Sequence, residues 1–96
     1  MEEVKSADLR HRIGECVSRA ARGETFVVIR YSEPIALLRP RREGDAFESF
    51  RVTEFWRDFP KVLAKAREGG ALITWYSDAV AVLVPLPEDW RRGEAA

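Results

Sequence analysis

The chain has little that could support covalent, redox or metal chemistry. It holds one cysteine, Cys16, and one histidine, His11. A single cysteine excludes an intrachain disulfide and a metal site built mainly from thiolates. His11 and Glu15 are four residues apart and could share a metal, but no further ligands stand at a recognisable spacing. Phosphate loops, paired-carboxylate motifs and zinc-hydrolase signatures are absent, so we expect neither an enzyme nor a bound cofactor or metal.

Long apolar runs are missing as well. No stretch approaches the roughly 18 apolar residues that a membrane-spanning helix needs. The opening residues Met1, Glu2 and Glu3 lack the basic and apolar regions of a secretory signal. We therefore expect a cytoplasmic protein without a membrane partner.

What is present is typical of one small globular domain. The 96 residues are 46% hydrophobic and 33% charged, which suits a chain with a single apolar core. The net charge is zero, but residues 1–42 carry nine Lys/Arg against six Asp/Glu, and residues 43–96 carry seven against ten. Such an asymmetry can mark an interaction surface confined to one part of the chain.

The sequence also contains an internal duplication. Residues 31–40 align with residues 76–85 without a gap, and five of the ten positions are identical. Residues 1–40 form the first copy, 41–49 a polar linker, 50–87 the second copy and 88–96 a short C-terminal tail. Each copy holds one amphipathic helix stripe. The stripes are Leu9, Ile13, Cys16, Val17 and Ala20, and Phe55, Phe59, Val62, Leu63 and Ala66.

Each helix has recognisable boundaries. Ser6 and Thr53 stand near the helix starts, where a hydroxyl can accept from free N–H groups. Gly23 and Gly69 stand where a C-cap needs a left-handed residue. Pro60 falls inside the second stripe and predicts a break near Asp58, whose side chain would cap the longer part of the helix.

Strands complete each copy. Short strands at residues 4–5 and 50–52 precede the helices, and hairpins follow at residues 26–38 and 71–84. A β-α-β-β unit of this size buries too little apolar area to be stable alone. We therefore predict an α+β fold in which the two units pack about a pseudo-twofold axis, as a dimer fused into one chain.

In these motifs the chain resembles the Phd/YefM family of bacterial type II antitoxins. The first copy carries Asp8-Leu9-Arg10, Gly23-Glu24, Val27-Val28-Ile29-Arg30 and Pro34-Ile35-Ala36-Leu37-Leu38-Arg39-Pro40. The second carries Thr53-Glu54-Phe55, Gly69, Leu72-Ile73-Thr74 and Val80-Ala81-Val82-Leu83-Val84-Pro85. The resemblance implies a regulator whose β-α-β-β domains bind the operator DNA of a toxin–antitoxin system, with a C-terminal extension that wraps the toxin.

The resemblance also implies which residues contact DNA. An arginine near the helix start and one at the end of the second strand correspond to Arg10 and Arg30, and a guanidinium can fork onto phosphate or guanine. Arg12, His11 and Lys5 complete the predicted DNA-binding set. An ordinary solvated helix face with acidic partners is the alternative interpretation of these charges.

The second copy departs from this pattern. Trp56 stands opposite Arg10 and Trp75 opposite Arg30, so we expect DNA binding mainly through the first copy, and self-association of two chains could pair two basic halves. The residues after Pro85 are few for a toxin-wrapping extension. The alternative function is a protein-interaction module that contacts a toxin or other partner through exposed Trp56, Trp75 and Trp90. These tryptophans could instead fill a larger core.

Overall fold

Strands and helices follow one another in the same order twice along the chain. A computed structural model describes residues 1–92. The first half contains β1 (Glu2–Lys5), α1 (Ser6–His11), α2 (Ile13–Ala21), β2 (Phe26–Arg30) and β3 (Glu33–Pro40). The second contains β4 (Glu48–Arg51), α3 (Val52–Arg57), α4 (Phe59–Glu68), β5 (Ala71–Trp75) and β6 (Asp78–Pro85). The fold is therefore α+β, as predicted, and no helix among residues 1–92 is long and apolar enough to cross a bilayer.

All six strands of the described chain belong to one sheet, in the order β1-β2-β3-β6-β5-β4. In each half the outer strand runs parallel to its neighbour, and the other two strands form an antiparallel hairpin. The halves meet where β3 pairs antiparallel with β6, and Leu38 lies opposite Leu83, its equivalent in the other half. The pairing is therefore symmetric about this central residue pair.

The helix predicted for each half is divided in two. The first break is at Arg12 (φ −126°, ψ 29°) and the second at the equivalent Asp58 (φ −118°, ψ 46°). The sequence predicted the second break from Pro60, but the first half breaks without a proline. Because both helices break at the equivalent residue, the break does not depend on proline. Pro60 lies in the first turn of α4, where a backbone N–H has no partner within the helix, so its missing N–H costs no hydrogen bond.

The predicted caps at the helix starts are wrong. Ser6 is the first helical residue, and no side-chain cap hydrogen bond is made at Lys5, Arg12 or Asp58. At the start of α3, Thr53 already lies inside the helix, and the backbone N–H of Arg51 donates to the Glu54 carboxylate at 3.1 Å.

The two glycine-bearing helix ends differ. Gly23 has φ 113°, and the N–H groups of Gly23 and Glu24 donate to the carbonyls of Ala20 and Arg19 at 3.0 and 3.1 Å, which is the Schellman arrangement. At the end of α4, Gly69 is extended (φ 179°) and Gly70 takes the positive φ of 139°. The left-handed residue was therefore predicted one position too early.

The helices cover one face of the sheet and form the main core. Every residue of the two predicted helix stripes is buried there, which confirms both stripes. The strands contribute Val4, Phe26, Val28, Ala36 and Leu38 from the first half, and Phe50, Ala71, Ile73, Ala81 and Leu83 from the second. Because both halves supply this layer, they share one core.

The other sheet face carries a smaller apolar group, which we call the outer-face cluster. It consists of Val27, Ile29, Leu37, Val82 and Val84, with Phe47, Leu72, Leu86 and Trp90 packed against it. The linker supplies Phe47, the end of the second copy supplies Leu86 and the tail supplies Trp90. Segments predicted as a polar linker and a short tail therefore cover this face, and β4 already begins at Glu48.

A largely buried ion pair fixes the linker. Arg39 and Asp45 have side chains only 13% and 11% exposed, and they form two N–H···O bonds of 3.0 Å. Asp45 also accepts the backbone N–H of Arg42 at 2.7 Å. These bonds hold the linker against β3.

Candidate functional site

A cavity of about 760 Å³ opens at one edge of the sheet. It lies where the parallel strands β1 and β2 end, beside the start of α1 and the turn that joins β2 to β3. Its walls are formed by Glu3, Val4, Lys5, Ser6, Ala7, Asp8, Arg12, Ile29, Arg30, Tyr31, Ser32 and Arg92. We call it the edge cavity, and four cationic side chains line it: Lys5, Arg12, Arg30 and Arg92.

Three of the predicted DNA-binding residues line the edge cavity: Lys5, Arg12 and Arg30. Lys5 ends β1 and Arg30 ends β2, and both side chains are exposed and form no ion pair within the described part of the chain. The Arg30 guanidinium lies 5.9 Å from the centre of the Tyr31 ring. These two cations are free to meet an anion.

Arg12 is already engaged. It lies at the break between α1 and α2 and forms an ion pair with Glu15. This hydrogen-bonded pair raises the pKa of Arg12 and lowers the pKa of Glu15. Its positive charge is therefore largely compensated, as in the solvated-face interpretation.

The structure places the other two predicted DNA-binding residues elsewhere. Arg10 is exposed, does not line the edge cavity, and its guanidinium lies 5.9 Å from the ring centre of Phe59 in the second half. His11 is exposed at the end of α1 and is also absent from the cavity wall. The edge cavity thus brings together Lys5, Arg12 and Arg30 of the predicted set, and Arg10 and His11 lie outside its wall.

The turn beside Arg30 has an unusual backbone. Tyr31 and Ser32 both have positive φ, 51° and 65°, and Tyr76 and Ser77 repeat this with 52° and 72°. Two positive φ values define the tight hairpin turn that Asn-Gly normally occupies. At these turns, Tyr31 and Tyr76 are each 91% exposed. The sequence predicts these tyrosines as turn residues only, and the identical Tyr-Ser pair in both copies is the signal that distinguishes them.

The equivalent edge of the second half is chemically different. Arg51 stands in the place of Lys5, Asp58 in the place of Arg12 and Trp75 in the place of Arg30. Arg51 pairs with Glu54 at 3.4 Å. The second edge therefore offers aromatic and acidic groups where the first offers free cations.

The tryptophans occupy three different environments. Trp56 is 64% exposed. Trp75 is half-buried against the main core, and its ring centre lies 6.5 Å from that of Tyr76. Trp90 is half-buried on the outer-face cluster. The expectation of three exposed tryptophans therefore holds for Trp56 alone.

Among residues 1–92, no group of three or more His, Cys, Asp or Glu side chains could hold a metal ion. Cys16 is buried in the core, and burial raises the pKa of its thiol. The chain matches no protein-family model, no curated protein and no solved structure.

Proposed function

We propose that the protein is a DNA-binding regulator of the antitoxin type, a single-chain pseudo-dimer with the Phd/YefM fold that contacts operator DNA through the edge cavity of its first half. The observation that carries the proposal is the pair of exposed cations, Lys5 and Arg30, unpaired within residues 1–92, at the ends of adjacent parallel strands. Phosphate contacts made by such side chains supply most of the sequence-independent affinity for DNA.

Two further features support this assignment. The Tyr31 ring projects beside Arg30, and aromatic groups next to cations recur at nucleic-acid surfaces, where they pack on sugars or bases. The repeated element order and the symmetric pairing about Leu38 and Leu83 agree with a fused dimer. A single chain offers one such edge, so two chains would be needed to occupy two operator half-sites.

The binding test is fluorescence anisotropy on DNA from upstream of the protein's own gene, at several salt concentrations. We expect Lys5→Ala and Arg30→Ala each to weaken binding severalfold. The slope of log affinity against log salt should fall by about 1 for each lost phosphate contact. Lys61→Ala is the matched control, because Lys61 is an exposed cation of the second half. Unaltered binding by the Lys5→Ala/Arg30→Ala double variant would exclude this site.

Exposure of Trp56 favours one alternative, a protein-interaction module without DNA binding. A toxin encoded beside this gene would be the partner, and Trp56→Ala should abolish co-purification while Arg57→Ala does not. A toxin that bound the tail would have to displace Leu86 and Trp90 from the outer-face cluster. DNA binding with no toxin contact would leave the regulator as the supported function.

A further inference from the structure

The C-terminal segment after β6, described as far as residue 92, reaches the edge cavity. After β6 it crosses the outer face, where Leu86 and Trp90 pack, and the backbone N–H of Trp90 donates to the Pro87 carbonyl at 3.0 Å. Arg92 then lines the cavity. The tail therefore brings a fourth cation to a site otherwise built from the first half.

Arg92 is held by the cavity wall itself. Its Nε and Nη2 donate to the two carboxylate oxygens of Glu3, each at 2.8 Å, and its Nη1 donates to the Ser32 carbonyl at 3.2 Å. A two-pronged guanidinium–carboxylate pair of this kind is the geometry that lysine cannot reproduce. Arg92 thus joins β1 to the turn that carries Tyr31.

The pairing changes the charge that an approaching anion meets. Glu3 lies on the same wall as Lys5 and Arg30, and a free carboxylate there would repel phosphate and attract both cations. The bond to Arg92 lowers the pKa of Glu3 and keeps this carboxylate ionised and paired. While Arg92 is bound to Glu3, this carboxylate neither repels an approaching phosphate nor attracts Lys5 and Arg30.

We propose that Arg92 is a positioning residue of the DNA site, which neutralises Glu3 and fixes the Tyr31 turn so that Lys5 and Arg30 can bind phosphate. The inference rests on the proposed function and deepens it: tail docking becomes a condition of tight binding. The second half has no counterpart to this arrangement, because Ser49 replaces Glu3.

The neighbouring arginine provides a matched control. Arg91 is exposed and donates only to the Trp90 carbonyl within the described chain, so Arg91→Ala removes the same formal charge without freeing Glu3. In the anisotropy assay we expect Arg92→Ala to weaken DNA binding about fivefold or more, and Arg91→Ala about twofold or less. Arg92→Lys should lie between them, because it keeps the charge and loses the fork.

A second substitution tests whether the freed Glu3 carboxylate is what weakens binding in Arg92→Ala. Glu3→Gln in the Arg92→Ala background should restore part of the lost affinity, because no free carboxylate then remains to repel the phosphate, whereas the contact of Arg92 with the Ser32 carbonyl stays lost. Thermal unfolding of each variant verifies that it is folded. Equal losses for Arg92→Ala and Arg91→Ala, or no rescue by Glu3→Gln, would overturn the inference while the proposed function stands. Absence of DNA binding by the parent protein would instead overturn the proposed function.

Discussion

Gly70 shows how one residue can be fixed both by backbone conformation and by a neighbour. Its φ is 139°, which side chains other than hydrogen rarely tolerate. A Cβ at this position would lie 2.7 Å from the Phe47 ring, which covers part of the outer face. The end of α4 and the linker can approach each other only because this residue has no side chain.

Substituting glycine should therefore have opposite effects at two positions. Gly70→Ala should destabilise the protein by about 1–3 kcal/mol, through strain and the displaced Phe47 ring. Gly14 lies within α2, and a methyl group added there would meet no atom within 4 Å beyond its chain neighbours and the backbone of its own helix, so Gly14→Ala should stabilise by about 0.5–1 kcal/mol. Urea unfolding measures both changes. Equal effects at the two glycines would contradict the predicted strain.

Asp45 links the stability of the linker to pH. The hydrogen bonds from Arg39 hold the pKa of the Asp45 carboxyl below its usual range, with a further contribution from the Arg42 N–H. A carboxyl with a depressed folded-state pKa stabilises the fold above its unfolded pKa of about 3.9. That stabilisation is lost as the pH falls through the lower, folded-state value.

Asp45→Asn should consequently cost about 1–2 kcal/mol at pH 7, and the difference from the parent should shrink below about pH 4. Denaturant unfolding of both proteins at pH 7 and pH 3 provides the comparison. The pKa is also lowered for exposed carboxyls, including Glu15, Glu24 and Glu54. These groups titrate in the same way in both proteins, so they do not change the difference in the free energy of unfolding. A difference that stayed constant with pH would show that the ionised carboxylate contributes nothing.

At the level of helices and strands, the sequence predicts those features that depend on the local pattern of apolar and polar residues. The two helix stripes and the paired hairpins follow from residue periodicity, and the structure confirms them. The break at Arg12 could not be predicted, because that stretch contains no proline and therefore carries no local signal for a break. The position of the left-handed glycine likewise depends on the contact between Gly70 and Phe47, which a linear pattern does not reveal.

The candidate site was predicted only in part, for a similar reason. Lys5, Arg12 and Arg30 come together because β1 and β2 are parallel and end at the same edge. Arg10 follows the helix towards Phe59 instead. Arg92 lies 89 positions from Glu3 in the sequence, and no local signal connects them. Tertiary packing of the tail supplies that part of the site.

At the scale of the whole molecule, the central pair decides whether the two halves unfold together. Leu38 and Leu83 are completely buried and lie opposite each other in β3 and β6. We expect Leu38→Ala and Leu83→Ala each to cost about 2–5 kcal/mol, and the double variant to deviate from additivity because the two residues are neighbours.

Both variants should still unfold in a single transition, since the halves share one core. Circular dichroism and tryptophan fluorescence, followed together during urea unfolding, test this expectation. In a Trp90→Phe background, Trp56 and Trp75 are the remaining tryptophans, so the fluorescence reports on the second half, whereas the dichroism signal reports on the whole chain. Separate midpoints for the two signals would show that each half is an independent folding unit.

The pair at the centre of the sheet has one more consequence. In a dimer of identical chains, the residue on the symmetry axis must pack against a copy of itself, and any substitution there occurs twice. In this chain positions 38 and 83 are encoded separately, so a larger side chain at one can be matched by a smaller one at the other. The same independence lets one edge of the sheet carry Arg30 while the other carries Trp75.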